Sequence, residues 1–151
     1  DLVFRSCGLE RWNRRGAGSR LRDLDAEMMG DEQRCIALIA HDGRKQALVD
    51  FAGENRSFFE QFKLVGTGTT GGRLQAIGLE VECLASGPLG GDAQIAARIT
   101  EGHVHAVIFF RDPMGKHPHE PDINMLLRQC DVHNIPLATN AATAHLLIAG
   151  F

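Results

Sequence analysis

CIALIAHD, residues 35–42, consists of six apolar residues followed at once by His41 and Asp42. An apolar run of this length, with no polar alternation, is typical of a strand buried on both faces of a parallel sheet. AVIFFRD, residues 106–112, repeats the pattern with five apolar residues before a charged pair. Helix-like stretches separate the two runs, so the sequence predicts an α/β fold with helices on both faces of the sheet.

The rest of the chain extends this pattern to one domain over residues 35–151. Five strands are predicted, at Cys35–Ala40, Lys63–Gly66, Val81–Ala85, Val104–Phe110 and Pro136–Thr139. Helices are predicted over Lys45–Phe62 with a break near Asn55, and over Gly72–Ile77, Ala93–Gly102, Pro121–Asn134 and Ala142–Gly150. The expected architecture is a three-layer αβα sandwich around a doubly wound, mainly parallel sheet.

Residues 1–34 differ in composition from the rest of the chain. Six arginines fall between Arg5 and Arg22, and five acidic residues follow between Asp23 and Glu32. Apolar residues are sparse there, so we predict a flexible N-terminal extension. The whole chain of 151 residues has a formal net charge of -3, which disfavours nucleic acid as a partner. Its apolar runs are too short to cross a membrane.

The cysteines and histidines do not form a recognisable metal motif. Cys35, Cys83 and Cys130 lie in or beside apolar runs, so we predict buried free thiols in a reducing, cytoplasmic compartment. The His117-Pro118-His119-Glu120 segment has the spacing of metal ligands, but His103 and His105 flank the start of the fourth predicted strand and belong to the opposite sheet edge. We therefore expect no metal.

Polar and glycine residues follow every predicted strand, and the carboxyl ends of parallel strands share one sheet edge, where ligands bind. GTGTTG, residues 66–71, matches a dinucleotide-binding loop, but no acidic residue stands near Ser86 to hold a ribose. Backbone N–H groups and threonine hydroxyls at a helix start can instead cradle one phosphate, and a simple tight turn is the alternative. Lys45, after His41-Asp42, can add a positive charge to this cradle or be a solvated surface residue.

Two further segments carry candidate acid–base groups. SGPLGGD, residues 86–92, ends in Asp92, which can be either a helix N-cap or a catalytic base, and its Ser86 can donate to a phosphate. HPHEPD, residues 117–122, offers a histidine for proton transfer with Asp122 to orient it, or a surface loop with titrating histidines.

Taken together, these blocks resemble the methylglyoxal synthases. The resemblance rests on Ala40-His41-Asp42 with Lys45, on residues 67–71 and 86–92, on Asp112-Pro113, on residues 118–122 and on residues 136–140, and it covers about 35–149. It implies a doubly wound α/β fold, a homohexamer, no metal or organic cofactor, and a lyase that converts dihydroxyacetone phosphate to methylglyoxal and inorganic phosphate.

The resemblance also implies residue roles. Asp92 is expected to be the base and His119 the group that polarises the carbonyl and moves protons, while His41 contacts the substrate. The phosphate-binding residues are expected to be Lys45, Thr67, Gly68, Thr69, Thr70, Ser86 and Gly87. Inorganic phosphate is an expected inhibitor. The alternative is a non-catalytic regulatory domain of the same fold, which would keep the phosphate cradle without needing the Asp92 and His119 pair.

Overall fold

The computed structural model describes residues 33–117 and 119–151. Its five parallel strands are β1 (Cys35–Ala40), β2 (Lys63–Thr67), β3 (Val81–Leu84), β4 (Ala106–Phe110) and β5 (Leu137–Ala138). They lie in the order β3-β2-β1-β4-β5. All residues of β1 and β4 are buried, as their uninterrupted apolar sequences predict.

Helices cover the sheet on both sides. Ile36 and Leu38 of β1 face one apolar core, and Ala37 and Ile39 face the other, because successive strand residues point to opposite faces. The helices are α1 (Lys45–Glu54), α2 (Arg56–Phe59), α3 (Gly68–Ala76), α4 (Gly91–Thr100), α5 (Glu120–Val132) and α6 (Ala141–Gly150). The first core contains residues of α1, α2, α3 and α6, and the second those of α4 and α5. The predicted three-layer sandwich is confirmed.

One helix begins earlier than the sequence suggested. We predicted a loop up to Gly71 and a helix from Gly72, but α3 already begins at Gly68. Thr70 and Leu74 on this helix are both buried against the sheet. The packing of this face outweighs the weak helix propensity of glycine and threonine in this glycine-rich segment.

The prediction for the cysteines is correct for two residues and wrong for the third. Cys35 and Cys130 are buried free thiols, and burial raises their pKa to about 11 and about 12. Cys83 is also free but exposed, because β3 is an edge strand and only one of its residues, Val81, is buried.

The predicted extension over residues 1–34 lies outside the described residues except for its last two, and stays a prediction. Of these, Arg34 contacts the folded part: its guanidinium lies 4.4 Å from the ring centroid of Phe151 and 5.0 Å from that of Phe62. Within residues 33–117 and 119–151, every helix is too short or too polar to cross a membrane.

Candidate functional site

The carboxyl ends of four strands place the predicted site residues at one edge of the sheet. His41 follows β1, Thr67 ends β2, Ser86 follows β3 by two residues, and Asp112 follows β4 by two. The chain leaves β1 towards β2 and β3 on one side, then returns to β4 on the other. This reversal between β1 and β4 creates the crevice in which doubly wound sheets bind ligands.

Lys45 and the start of α3 form one corner of the site. The Lys45 Nζ lies 2.6 Å from Asp42 Oδ1 and also donates a hydrogen bond to the Thr69 hydroxyl. The Lys45 side chain is only 19% exposed, whereas that of Asp42 is 96% exposed. The hydrogen bond from Lys45 lowers the pKa of the Asp42 carboxyl. We call Lys45 and residues 67–70 the Lys–Thr cluster.

Gly68 allows the loop after β3 to approach the Lys–Thr cluster. Its φ of +44° lies in the left-handed region, and a Cβ at this position would be 2.8 Å from the Ser86 Cα. The Ser86 carbonyl accepts hydrogen bonds from the Leu89 and Gly91 N–H groups, which hold the loop in a tight turn before α4. Ser86 and Gly87 therefore lie beside the first turn of α3.

Asp92 is a buried carboxylate without a hydrogen-bond partner. It lies in the first turn of α4, whose N-cap is Gly90, so the N-cap alternative for Asp92 is wrong. The side chain is fully buried, and neither Oδ1 nor Oδ2 accepts a hydrogen bond. Burial raises the pKa of this carboxyl, while nearby His119 acts in the opposite direction. A carboxylate in this state is a stronger base than an exposed one.

His119 faces Asp92 across a narrow gap. The His119 Nε2 lies 3.6 Å from Asp92 Oδ2, and the His119 side chain is 11% exposed. Gly87 lines the gap, since a Cβ there would be 3.0 Å from His119 Nε2 and 3.3 Å from Asp92 Oδ2. Asp122 donates its backbone N–H to the His119 carbonyl, but His119 Nδ1 has no hydrogen-bond partner. The Asp122 carboxylate therefore does not orient the ring through Nδ1.

His41 is a buried, neutral imidazole with a defined proton position. Its Nδ1 accepts a hydrogen bond of 2.9 Å from the Asp112 backbone N–H. Because a backbone N–H can only donate, the proton of the neutral ring is on Nε2, which is buried and unpaired. Burial lowers the pKa of His41 to about 4, and His117 and His119 add to this shift. His41 can thus donate a hydrogen bond without carrying charge.

His117 is a site residue whose position sequence reasoning missed. Its ring stacks on that of His41, with centroids 3.6 Å apart and planes 19° apart, and its Nε2 is buried without a partner. From the sequence alone, His117 was considered only with its neighbour His119, as a metal ligand or a proton-transfer group. The contact between His117 and His41 has no local signal, because the two residues are far apart in the chain. Among the described His, Cys, Asp and Glu side chains, no group of three or more could hold a metal ion.

Among the described residues, five carry a buried side-chain polar atom without a hydrogen-bond partner, and four of the five meet at this edge of the sheet. The five are His41, Thr70, Asp92, His117 and His119. Buried polar groups are otherwise nearly always paired, since leaving one unpaired costs about 1–3 kcal/mol. The fold and this arrangement define an α/β protein in which buried acid–base side chains lie close to a lysine and threonine hydroxyls at the switch point of a doubly wound sheet, where such sheets bind small molecules.

Comparisons with known proteins identify the family. The MGS-like domain model matches residues 47–139. The chain is 60% identical over 116 residues to a methylglyoxal synthase from Cupriavidus taiwanensis, covering 76% of this chain and 87% of that protein. It is 56% identical over 120 residues to one from Borrelia garinii, covering 79% and 95%. The crystal structure of methylglyoxal synthase from Elizabethkingia anophelis has a TM-score of 0.74 and 39% identity, covering 78% of each chain. The chain belongs to the methylglyoxal synthase family.

Proposed function

We infer that this chain converts dihydroxyacetone phosphate to methylglyoxal and inorganic phosphate. The substrate offers a phosphate dianion and an acidic C–H next to a ketone. The proposal depends above all on one observation, the buried and unpaired Asp92 carboxylate 3.6 Å from His119 Nε2. A base and a hydrogen-bond donor this close can act on one small molecule without moving apart.

In the first step, Asp92 removes a proton from the carbon that carries the free hydroxyl group. The raised pKa of Asp92, caused by burial, makes the carboxylate better matched to this weak carbon acid. The electrons of the C–H bond become the double bond of an enediolate, and the negative charge moves to the former ketone oxygen. Neutral His41, through Nε2–H, and His119 are the candidates to donate hydrogen bonds to the enediolate oxygens.

In the second step, the proton of the free hydroxyl group moves to the former ketone oxygen, a transfer proposed for His119. The electrons left on the hydroxyl oxygen form the aldehyde C=O, the carbon–carbon double bond shifts towards the other carbon, and the C–O bond to phosphate breaks. The enol of methylglyoxal remains; it gains a proton on its terminal carbon and loses its hydroxyl proton to give the product, and the proton first taken by Asp92 goes to the phosphate. The phosphate keeps the bonding pair, so positive charge and N–H or O–H donors around it stabilise the departure. The groups proposed for this role are Lys45, Thr67, Gly68, Thr69, Thr70, Ser86 and Gly87.

The test is to incubate the purified chain with dihydroxyacetone phosphate and to quantify methylglyoxal and phosphate together. We expect equal amounts of both, and loss of both in Asp92→Asn. Asp131→Asn is the matched control, because Asp131 is an exposed residue of α5. If the chain binds phosphate but releases neither product, it is instead a regulatory ligand-binding domain of this fold.

The surroundings of the reaction are also proposed from the family. Inorganic phosphate, as a product that fits the Lys–Thr cluster, should compete with the substrate. We propose a homohexamer that acts in the cytoplasm without metal or organic cofactor. Light scattering after gel filtration measures the first property, and full activity after treatment with a chelator is expected from the last.

A further inference from the structure

The ring of His41 is held by three neighbouring groups. The Phe109 ring of β4 meets it nearly at right angles, with centroids 5.0 Å apart and planes at 78°. The Asp112 backbone N–H binds its Nδ1 at 2.9 Å, and the His117 ring stacks on its face. The first two groups belong to β4 or follow it closely, whereas His117 lies in the segment before α5. His117 is therefore the contact that the sheet itself does not supply.

Close packing, and not a hydrogen bond, determines where the His117 ring lies. Its Nε2 is buried and has no hydrogen-bond partner among the described residues. The chain packs tightly against the ring at Gly115, where a Cβ would lie 3.0 Å from His117 Nε2 and 2.9 Å from Asp112 Oδ2. The ring thus fits between Gly115 and the face of His41, and its contact with His41 is a stack with centroids 3.6 Å apart.

The stack also opposes a positive charge on His41. The titratable or charged groups around His41 are Asp42 directly after it, Arg111 and Asp112 after β4, and His117 and His119 before α5. Burial is the largest cause that lowers the pKa of His41, and the charge of His117 is the next. The stacked ring contributes to both, because it covers one face of His41 and because two positive charges at this distance repel each other.

We propose that His117 is a positioning residue that holds the His41 ring in place and uncharged, so that its Nε2–H stays available to the substrate. This inference rests on the proposed function, in which His41 donates a hydrogen bond to an enediolate oxygen. Such a donor contributes most when its position is fixed before charge develops on the oxygen, since no reorganisation is then needed during the reaction. The stack with His117 and the hydrogen bond from Asp112 provide this fixed position.

NMR of the chain with isotope-labelled histidine tests the proposal without depending on turnover, and His41→Asn identifies the His41 signals. In the wild type, His41 should titrate with a pKa of about 4. In His117→Ala, water reaches the ring and the repulsion is lost, so the pKa of His41 should rise by at least about one unit. His117→Phe keeps the stack and removes only the repulsion, so its rise should be smaller.

His103→Ala is the matched control, because it removes a histidine whose side chain is 65% exposed, and it should leave the titration of His41 unchanged. An unchanged titration of His41 in His117→Ala overturns the proposal.

Steady-state kinetics with dihydroxyacetone phosphate at pH 7 tests the effect on the reaction. We expect His117→Ala to lower kcat about tenfold with a smaller change in KM, because a misplaced His41 loses a hydrogen bond made mainly in the transition state. His117→Phe should recover most of kcat, since it restores a flat ring against His41. Full kcat in His117→Ala, or an equal loss in both variants, overturns the proposal. Absence of turnover in every protein, the wild type included, refutes the proposed function and leaves the NMR result unaffected.

Discussion

Asp92→Asn should lower turnover strongly and at the same time make the protein more stable. The wild-type carboxylate is fully buried, and neither oxygen accepts a hydrogen bond. An unpaired buried polar group costs about 1–3 kcal/mol, and more when it is charged. Asparagine keeps the shape of the side chain but removes its charge. Because the asparagine amide is also unpaired, we expect the free energy of unfolding to rise by about 1 kcal/mol, near the low end of this range. For a domain of this size, that gain raises Tm by about 3–5 °C.

The pH dependence of this gain follows from the direction of the pKa shift. Burial raises the pKa of Asp92 in the folded state above its unfolded value, so the folded state is penalised wherever the carboxyl is ionised. The penalty is complete above the folded pKa and disappears as the pH falls towards about 4, the ordinary pKa of aspartate. The Asp92→Asn gain should therefore be largest at neutral pH and vanish near pH 4.

Thermal unfolding followed by circular dichroism measures the stability, and methylglyoxal release measures the activity. We expect kcat to fall on the order of 10³-fold, the typical contribution of a general base. Asp131→Asn should change neither quantity. A variant that is both inactive and less stable than the wild type would refute the reasoning, because Asp92 would then be a structural residue with a hidden partner.

Three further results are expected. Gly87→Ala should lower kcat/KM at least about tenfold with little change in Tm, because the new Cβ would be 3.0 Å from His119 Nε2. Gly72→Ala is the control, since a Cβ at Gly72 faces open space. Equal activity of the two variants would contradict this geometry. His41 has a folded pKa of about 4, below its ordinary value, so lowering the pH from 7 to 4.5 should reduce the free energy of unfolding of the wild type by about 2–3 kcal/mol. His41→Asn should not show this loss, and urea denaturation at the two pH values measures it. Inorganic phosphate should raise the apparent KM for dihydroxyacetone phosphate and leave kcat unchanged, and a fall in kcat alone would contradict binding at the substrate site.

The sequence was sufficient for the fold and for the general position of the site. The uninterrupted apolar runs of β1 and β4 predict buried parallel strands, and the rule that carboxyl ends meet at one edge predicts that His41, Thr67 and Ser86 come together. It was insufficient where tertiary packing decides. Nothing local to Gly68 shows that the helix begins there, and nothing local to Cys83 shows that its strand lies at the sheet edge.

Within the site, residue types were predictable but their states were not. Taken alone, Asp92 favoured an N-cap over a base, because an acidic residue directly before a predicted helix is typical of a cap. The structure decides between these roles: the helix begins at Gly91 with Gly90 as its N-cap, so Asp92 lies two residues after the cap and its carboxylate faces His119. The neutral state of His41 depends on a hydrogen bond from Asp112 and on a stacked His117, both distant in sequence.

The distribution of unpaired polar atoms links the stability of the fold to its proposed chemistry. Elsewhere in the described chain, partly buried polar groups have partners: His105 Nδ1 accepts from the Cys35 N–H, and the Gln75 amide donates to the Val81 carbonyl. Thr70, Asp92 and the three clustered histidines are the exceptions. A domain with a total stability of about 5–15 kcal/mol tolerates such a concentration of cost only where something else satisfies the groups. A small substrate with a carbonyl, a hydroxyl and a phosphate provides both the acceptors and the donor that these atoms lack, so the same atoms that weaken the free protein give the bound state its affinity.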